Sequence, residues 1–353
     1  MNAFVFEPHL PRVVFGEGSL SRLAEEIERL GATRALVLAT PGQADSARRV
    51  AELLGGRSAG IFARAAMHVP LELAREARAE ARRLGADCAV AIGGGSTTGL
   101  GKAIALDSGL PIVAIPTTYA GSEMTPIYGL TDGGVKKTGR DPRVLPKTVL
   151  YDPQLTLGLP VGVSVASGIN AIAHAAEALY AQDGNPIVAL MAEEGIRALA
   201  VALPALHAEP HGLRARGEAL YGAWLCGAVL GHVSMGLHHK LCHTLGGSFD
   251  LPHAQVHTVV LPHALAYNAG HARDAMARIA RALGAADAPL ALQELARRLG
   301  APGSLREIGM PADGLDRAAE LAAGAPYPNP RPLERTALRA LLQRAYEGAA
   351  PAA

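Results

Sequence analysis

A chain of 353 residues, 49% of them hydrophobic, can bury a core large enough for two domains. Lys and Arg number 33 against 32 Asp and Glu, a formal net charge of +1, which excludes the clustered basic surface that nucleic-acid binding needs. Aromatic residues are only 4%, so base-stacking platforms and aromatic cages are excluded as well.

The N-terminal stretch Met1–Pro8 lacks the basic-then-apolar pattern of a secretory leader, and no later apolar run reaches the roughly 20 residues of a membrane span. Arg12–Phe15 opens a series of short β-type runs, punctuated by Gly16 and Gly18. A helix is predicted over Leu20–Leu30 with Ser19 as its N-cap. Arg34–Ala39 predicts a buried strand, Ala44–Leu54 a helix and Ala59–Ala63 a short strand. Pro70 starts a predicted helix to Leu84, because a missing N–H does no harm in a first turn. Cys88–Ile92 and Pro111–Ile115 are continuous apolar runs between turn residues, the pattern of interior parallel strands covered on both faces. Strands alternating with helices predict a doubly wound α/β domain over residues 1–157.

The pattern changes after Asp152-Pro153. Residues 158–353 hold no convincing strand, and Ala- and Leu-rich amphipathic segments predict helices over 164–181, 186–205, 213–246, 258–269, 272–283, 288–299, 313–323 and 333–346. Gly324–Pro332 is too proline-rich for regular structure. Cys88, Cys226 and Cys242 form no CxxC pair and read as reduced thiols, so a cytoplasmic protein is expected.

Two loops carry binding chemistry. Gly93-Gly94-Gly95-Ser96-Thr97 follows the Cys88–Ile92 strand and leads into a helix containing Lys102. Three glycines let backbone approach a ligand closely, and the following helix aims its N–H groups and positive dipole end at the loop, which suits a diphosphate. The spacing is neither GxGxxG nor GxxxxGK[ST]. A second loop, Pro116–Glu123 with Thr117 and Thr118, follows the next strand in the same manner. Both fall at the carboxyl edge of the predicted sheet, where open α/β sheets bind ligands.

Histidines are unevenly spread: seven of the 13 lie between His232 and His263. His239 and His243 are spaced i, i+4 on a predicted helix and share a face, and His253 follows a break at Gly246-Gly247. Asn170 and His174 make another i, i+4 pair. His232, His238, His257 and His263 are read as structural.

In the segments Gly93–Lys102, Pro116–Glu123, Asp152-Pro153 and Ser167–Glu177 and in the series His239, His243 and His253, the chain resembles the iron-containing alcohol dehydrogenase superfamily. Within it, GGGSTTGLGKAIAL, PTTYAGSEMTPIYGLT and SGINAIAHAAEALYA resemble the maleylacetate reductase branch. The resemblance implies an N-terminal nucleotide-binding α/β domain, an all-helical C-terminal domain, NADH or NADPH in the cleft between them, and a homodimer. It implies reduction of the carbon–carbon double bond of maleylacetate to 3-oxoadipate in aromatic-compound degradation. The family's metal ligands would fall on Asn170, His174, His239 and His253. Metal-dependent members carry Asp where this chain has Asn170, so the only anionic ligand is lost and no catalytic metal is expected. They also carry Asp where Gly99 stands. Thr40 stands where several relatives set an Asp against the adenosine ribose, which implies tolerance of both NADH and NADPH.

The implied roles are acid catalysis by His243 with His253, His239 and His174 around the substrate, and cofactor binding by Gly93, Gly94, Gly95, Ser96, Thr97, Thr117, Thr118, Thr40 and Lys136. Lys136, Lys137, Lys240, Tyr119 and Arg331 are partners considered for the two substrate carboxylates. Two other activities share the scaffold: a metal-dependent alcohol or polyol dehydrogenase, and an NAD-using carbon–oxygen lyase like dehydroquinate synthase. A non-catalytic ligand sensor is a third reading.

Overall fold

The computed structural model describes every residue except Met1, Asn2, Gly134, Ala325, Pro326 and Ala353, and the side chains of Val135 and Lys136 also lie outside the described set. The chain forms two compact units, one of His9–Leu159 and the other of Pro160–Ala353 with the described part of Met1–Pro8.

In the first unit, strands β1 (Arg12–Phe15), β2 (Ala35–Leu38), β3 (Ser58–Phe62), β4 (Cys88–Gly93), β5 (Ile112–Pro116) and β8 (Thr148–Tyr151) form one sheet in the order β1-β8-β5-β4-β2-β3. Every pairing in it is parallel. The apolar runs of β2 and β4 are wholly buried because alternate residues serve opposite faces. Val37, Val90 and Ile92 enter one core with Leu23 and Ile27 of α1 (Leu23–Arg29) and Val50 of α2 (Ala44–Leu54). Leu36, Leu38 and Ala89 enter the other with Ala77 of α3 (Leu71–Arg83) and Leu100 and Ile104 of α4 (Gly95–Ser108).

Three local expectations need correction. Ser19 caps no helix; its hydroxyl donates to the Tyr151 carbonyl at 3.1 Å, and the chain runs through a 3-10 turn, Ser19–Arg22, before α1 begins. The hairpin of β6 (Ile127–Asp132) and β7 (Val135–Arg140) and the strand β8 were not anticipated. The hairpin's strands are only partly buried and hold two lysines and two glycines, so they lack the apolar signal that marks an interior strand.

The second unit is helical among the described residues: α5 (Val161–Ala178), α6 (Pro186–Ala208), α7 (Leu213–Leu230), α8 (Leu237–Phe249), α9 (His253–Asn268), α10 (Arg273–Ala282), α11 (Ala288–Arg298), α12 (Leu315–Ala323) and α13 (Arg335–Glu347). The single helix expected over 213–246 is two, parted at Gly231–Gly236. Gly246-Gly247 does not break α8; the chain turns three residues later, at Asp250, whose φ of +52° is left-handed, ahead of Pro252. Leu241, Leu245, Val256, Val260, Leu315, Leu338 and Leu342 knit α8, α9, α12 and α13 into one core. Asn185 and Asp287 cap α6 and α11 by accepting from backbone N–H groups of the first turn. No helix among the described residues is long and apolar enough to cross a membrane.

Candidate active site

The α/β unit brings three loops to the carboxyl ends of adjacent strands. β4 ends at Gly93, with φ of +150°, and α4 starts two residues later. A Cβ on Gly93 would come 2.5 Å from Thr97 Oγ1 and 2.7 Å from Gln43 Oε1; one on Gly94 would come 3.0 Å from the Thr118 side chain. The glycines are therefore required by close approach from the neighbouring loops as well as by backbone freedom. Thr117 N donates to Gly93 O at 3.0 Å, which joins the second loop to the first. Thr97 Oγ1, in the first turn of α4, is buried and has no hydrogen-bond partner. That orphaned hydroxyl, the glycine cradle and a helix N-terminus fit a dinucleotide diphosphate. Thr40 Oγ1 lies 3.3 Å from Gln43 Oε1. Lys136 pairs with Thr131 through β7, and its side chain is among those not described.

A buried ammonium organises these loops. Lys102 on α4 is fully buried and donates to the carbonyls of Ser122 (2.7 Å), Thr125 (2.8 Å) and Ile127 (2.7 Å) and to Thr125 Oγ1 (3.0 Å). Burial lowers its pKa to about 7, opposed by nearby Glu123, whose own pKa burial raises. Glu123 accepts a hydrogen bond from Tyr151 Oη at 2.8 Å. The sequence placed Lys102 on the helix but offered no role for it.

The helical unit assembles six imidazoles from three helices: His174 on α5, His238, His239 and His243 on α8, and His253 and His257 on α9. Ring centroids are 4.9 Å apart for His174 and His239, 6.3 Å for His239 and His243, 6.5 Å for His243 and His253, and 4.4 Å for His253 and His257. The four nominated histidines thus come together. His238 and His257, read as structural, join them, and the i, i+4 spacing of His253 and His257 was the signal available for the second. His232 and His263 do not; His232 Nδ1 lies 2.7 Å from the Ala228 carbonyl.

Glu177, one turn beyond His174 and the only carboxyl on α5, was missed. It is buried, and its oxygens accept from His239 Nδ1 (2.7 Å), His238 N (2.8 Å), Gly236 N (3.0 Å) and Tyr180 Oη (3.2 Å). His239 Nε2 lies 2.8 Å from His174 Nδ1. Burial drives His238 down to about 3, and holds His239 and His257 well below the ordinary histidine value, with neighbouring imidazoles adding to it.

The family's metal-ligand positions hold no carboxylate in this chain. Asn170, His174, His239 and His253 are neutral donors, and Asn170 Oδ1 is buried without a partner. His174 and His239 spend ring nitrogens on each other at 2.8 Å, closer than the roughly 3.3 Å that separates two ligands of a tetrahedral ion. Gly99, the other position where metal-dependent members carry Asp, sits on α4, and a Cβ on it would lie 2.8 Å from Val69 Cγ2. His238, His239 and His257 offer ring nitrogens within 4.8 Å of one another, all three buried.

Of the residues considered for substrate carboxylates, Tyr119 is fully buried, Lys137 pairs with Asp132 at 3.3 Å, Lys240 lies over the Tyr327 ring and Arg331 over the Tyr267 ring at 4.2 Å. A cavity of about 600 Å³ in the helical unit is lined by Glu177, Tyr180, Ser234, Arg273 and Asn329 among others; none of the six clustered histidines lines it.

Comparison with known proteins matches residues 11–153 to the family model of iron-containing alcohol dehydrogenases and residues 164–346 to that of the C-terminal region of the Fe-containing alcohol dehydrogenase family. The chain is 69% identical to a maleylacetate reductase of Burkholderia cepacia over 351 residues, covering 99% of this chain and 100% of that one. It is 59% identical to a maleylacetate reductase of Sphingobium indicum over 348 residues, covering 99% of each. The crystal structure of maleylacetate reductase from Agrobacterium tumefaciens superposes with a TM-score of 0.97 at 57% identity, covering 99% of this chain and 100% of that one.

Proposed function

The chain belongs to the iron-containing alcohol dehydrogenase family, and from that premise we propose that it reduces the carbon–carbon double bond of maleylacetate to 3-oxoadipate with NADH or NADPH, in aromatic-compound breakdown. The observation that carries this reading is the carboxylate-anchored imidazole cluster built on a neutral donor set, which supplies acid and polar groups where metal-dependent relatives use a cation. We assign the dinucleotide to residues 1–157 and the handling of substrate to residues 158–353.

When bound, the cofactor supplies hydride to the alkene carbon β to the ketone. Charge then gathers on the ketone oxygen, and a proton must reach the α carbon. The Glu177 carboxyl accepts from all its partners, so Nδ1 of His239 carries a proton. Neutral His239 then accepts at Nε2 from Nδ1–H of His174. A neutral His174 then keeps its lone pair at Nε2 and serves as an acceptor. Proton donation therefore falls to His243 or His253. His253 is the first residue of α9, where the positive end of the helix dipole opposes its cationic form. His243 is the proton donor in this scheme, and His253 flanks the developing oxyanion.

The test is spectrophotometric: NADH oxidation on adding maleylacetate, with and without a chelator. Equal turnover in both supports the reading, whereas activity that disappears with the chelator and returns with a divalent metal favours the alcohol dehydrogenase alternative. We further read the protein as a cytoplasmic homodimer, as the resemblance implies; a single-chain mass by light scattering would remove the dimer.

A further inference from the structure

At the end of β4, Gly93 is approached by Thr97 and by one side chain not nominated from the sequence, Gln43. Gln43, the last residue of the 3-10 turn Pro41–Gln43 after β2, sends its amide across that end. Its Nε2 donates to Thr117 Oγ1 at 2.8 Å, and its Oε1 faces the Thr40 hydroxyl at 3.3 Å. The same Oε1 lies 2.7 Å from where a Gly93 Cβ would stand, and the buried, unpartnered Thr97 Oγ1 lies 2.5 Å from that point. In the sheet, β4 sits between β2 and β5. One half-buried amide thus ties together the loops that follow three neighbouring strands, over the strand that ends in the glycine loop.

From this juxtaposition we propose that Gln43 is a specificity-determining residue of the dinucleotide site, reading the 2′ substituent of the adenosine ribose. The inference rests on the cofactor reading above. In doubly wound sheets the ribose lies over the strand next to the glycine-loop strand, at the position from which an acidic side chain selects NAD. Here that strand is β2, and the residues at its carboxyl end, Thr40 and Gln43, are neutral. A primary amide offers both a carbonyl acceptor and N–H donors. Turned from Thr117 to the ligand, its carbonyl accepts from a 2′-hydroxyl, or its N–H donates to a 2′-phosphate. Asp45, at the start of α2, is ion-paired with Arg48 and adds little net charge to that edge. Gln43 makes one site serve both cofactors; Thr40 only withholds repulsion.

The experiment compares wild type, Gln43→Glu and Gln43→Leu, using NADH and NADPH as probes in fluorescence titration and in steady-state reduction of maleylacetate. Gln43→Glu sets a carboxylate against the 2′-phosphate and should lower kcat/KM for NADPH by roughly thirtyfold more than for NADH. Gln43→Leu, of similar size but without hydrogen-bonding atoms, should raise KM several-fold for both cofactors at unchanged kcat. Equal change for both cofactors in Gln43→Glu, or wild-type constants in Gln43→Leu, overturns the inference while leaving the reductase reading intact. Failure of the wild type to bind either dinucleotide sinks that reading, and this one with it.

Discussion

The imidazole cluster shows how far one atom can direct a site. Glu177 cannot donate, and that single constraint propagates through His239 to His174, setting the tautomer of each. His243 lies one turn along α8 from His239, the two ring centroids 6.3 Å apart. His243→Ala is expected to lower kcat about a hundredfold while leaving KM for NADH near its original value, because it removes a proton donor and not a cofactor contact. Near-normal turnover in that variant would transfer the role to His253. A histidine outside the cluster adds its own share to the loss of stability in acid, beside that of the buried cluster histidines. His263 on α9 is buried, and burial with the nearby Arg344 charge holds its pKa down at about 4, against an ordinary value of 6.5. As pH falls below about 6.5 the unfolded chain takes up a proton that the folded chain refuses, so stability is lost from there down to about pH 4. The contribution is on the order of 3 kcal/mol. His263→Gln should flatten the fall in Tm across that window; an unchanged pH profile would contradict the assignment.

At the scale of elements, the cofactor edge is a product of strand ends and the loops wedged between them. Gly93 has a backbone conformation that side chains rarely adopt, whereas Gly94 has φ of −92° and is constrained only by the Thr118 side chain 3.0 Å from its missing Cβ. A substitution at Gly94 therefore adds a side chain to the loop without backbone strain. Gly94→Val should push the second loop away from α4 and raise KM for NADH by about tenfold or more, with CD and Tm little changed. Unaltered affinity would show that the two loops need not touch for the dinucleotide to bind. Lys102 secures the other side of the same loop by donating to three backbone carbonyls, a job for which a buried ammonium with several donors is suited and a neutral side chain is not. A parallel set of short apolar runs was easy to read because each strand is buried on both faces. The hairpin β6–β7 was invisible for the opposite reason, and the split between α7 and α8 was hidden because residues 213–246 read as one continuous amphipathic run.

For the whole molecule, composition and pattern alone determined a parallel α/β unit followed by a helical one, the glycine loop at a strand's carboxyl end, and an unusual density of histidines in one stretch. These depend on local periodicity and on residue types whose chemistry does not vary with surroundings. Family likeness then selected His239, His243 and His253 from that stretch and His174 from further upstream. What only the tertiary structure decided is which side chains from distant segments share a site. His238 and His257 look like ordinary helical histidines until α8 packs on α9. Glu177 becomes the anchor of the cluster because α5 brings it within 2.7 Å of a residue 62 positions away. Gln43 meets Thr117 across 74 positions. Contacts of that separation follow from the packing of whole elements, which no local pattern encodes, and they set the charge, tautomer and shape on which the chemistry runs.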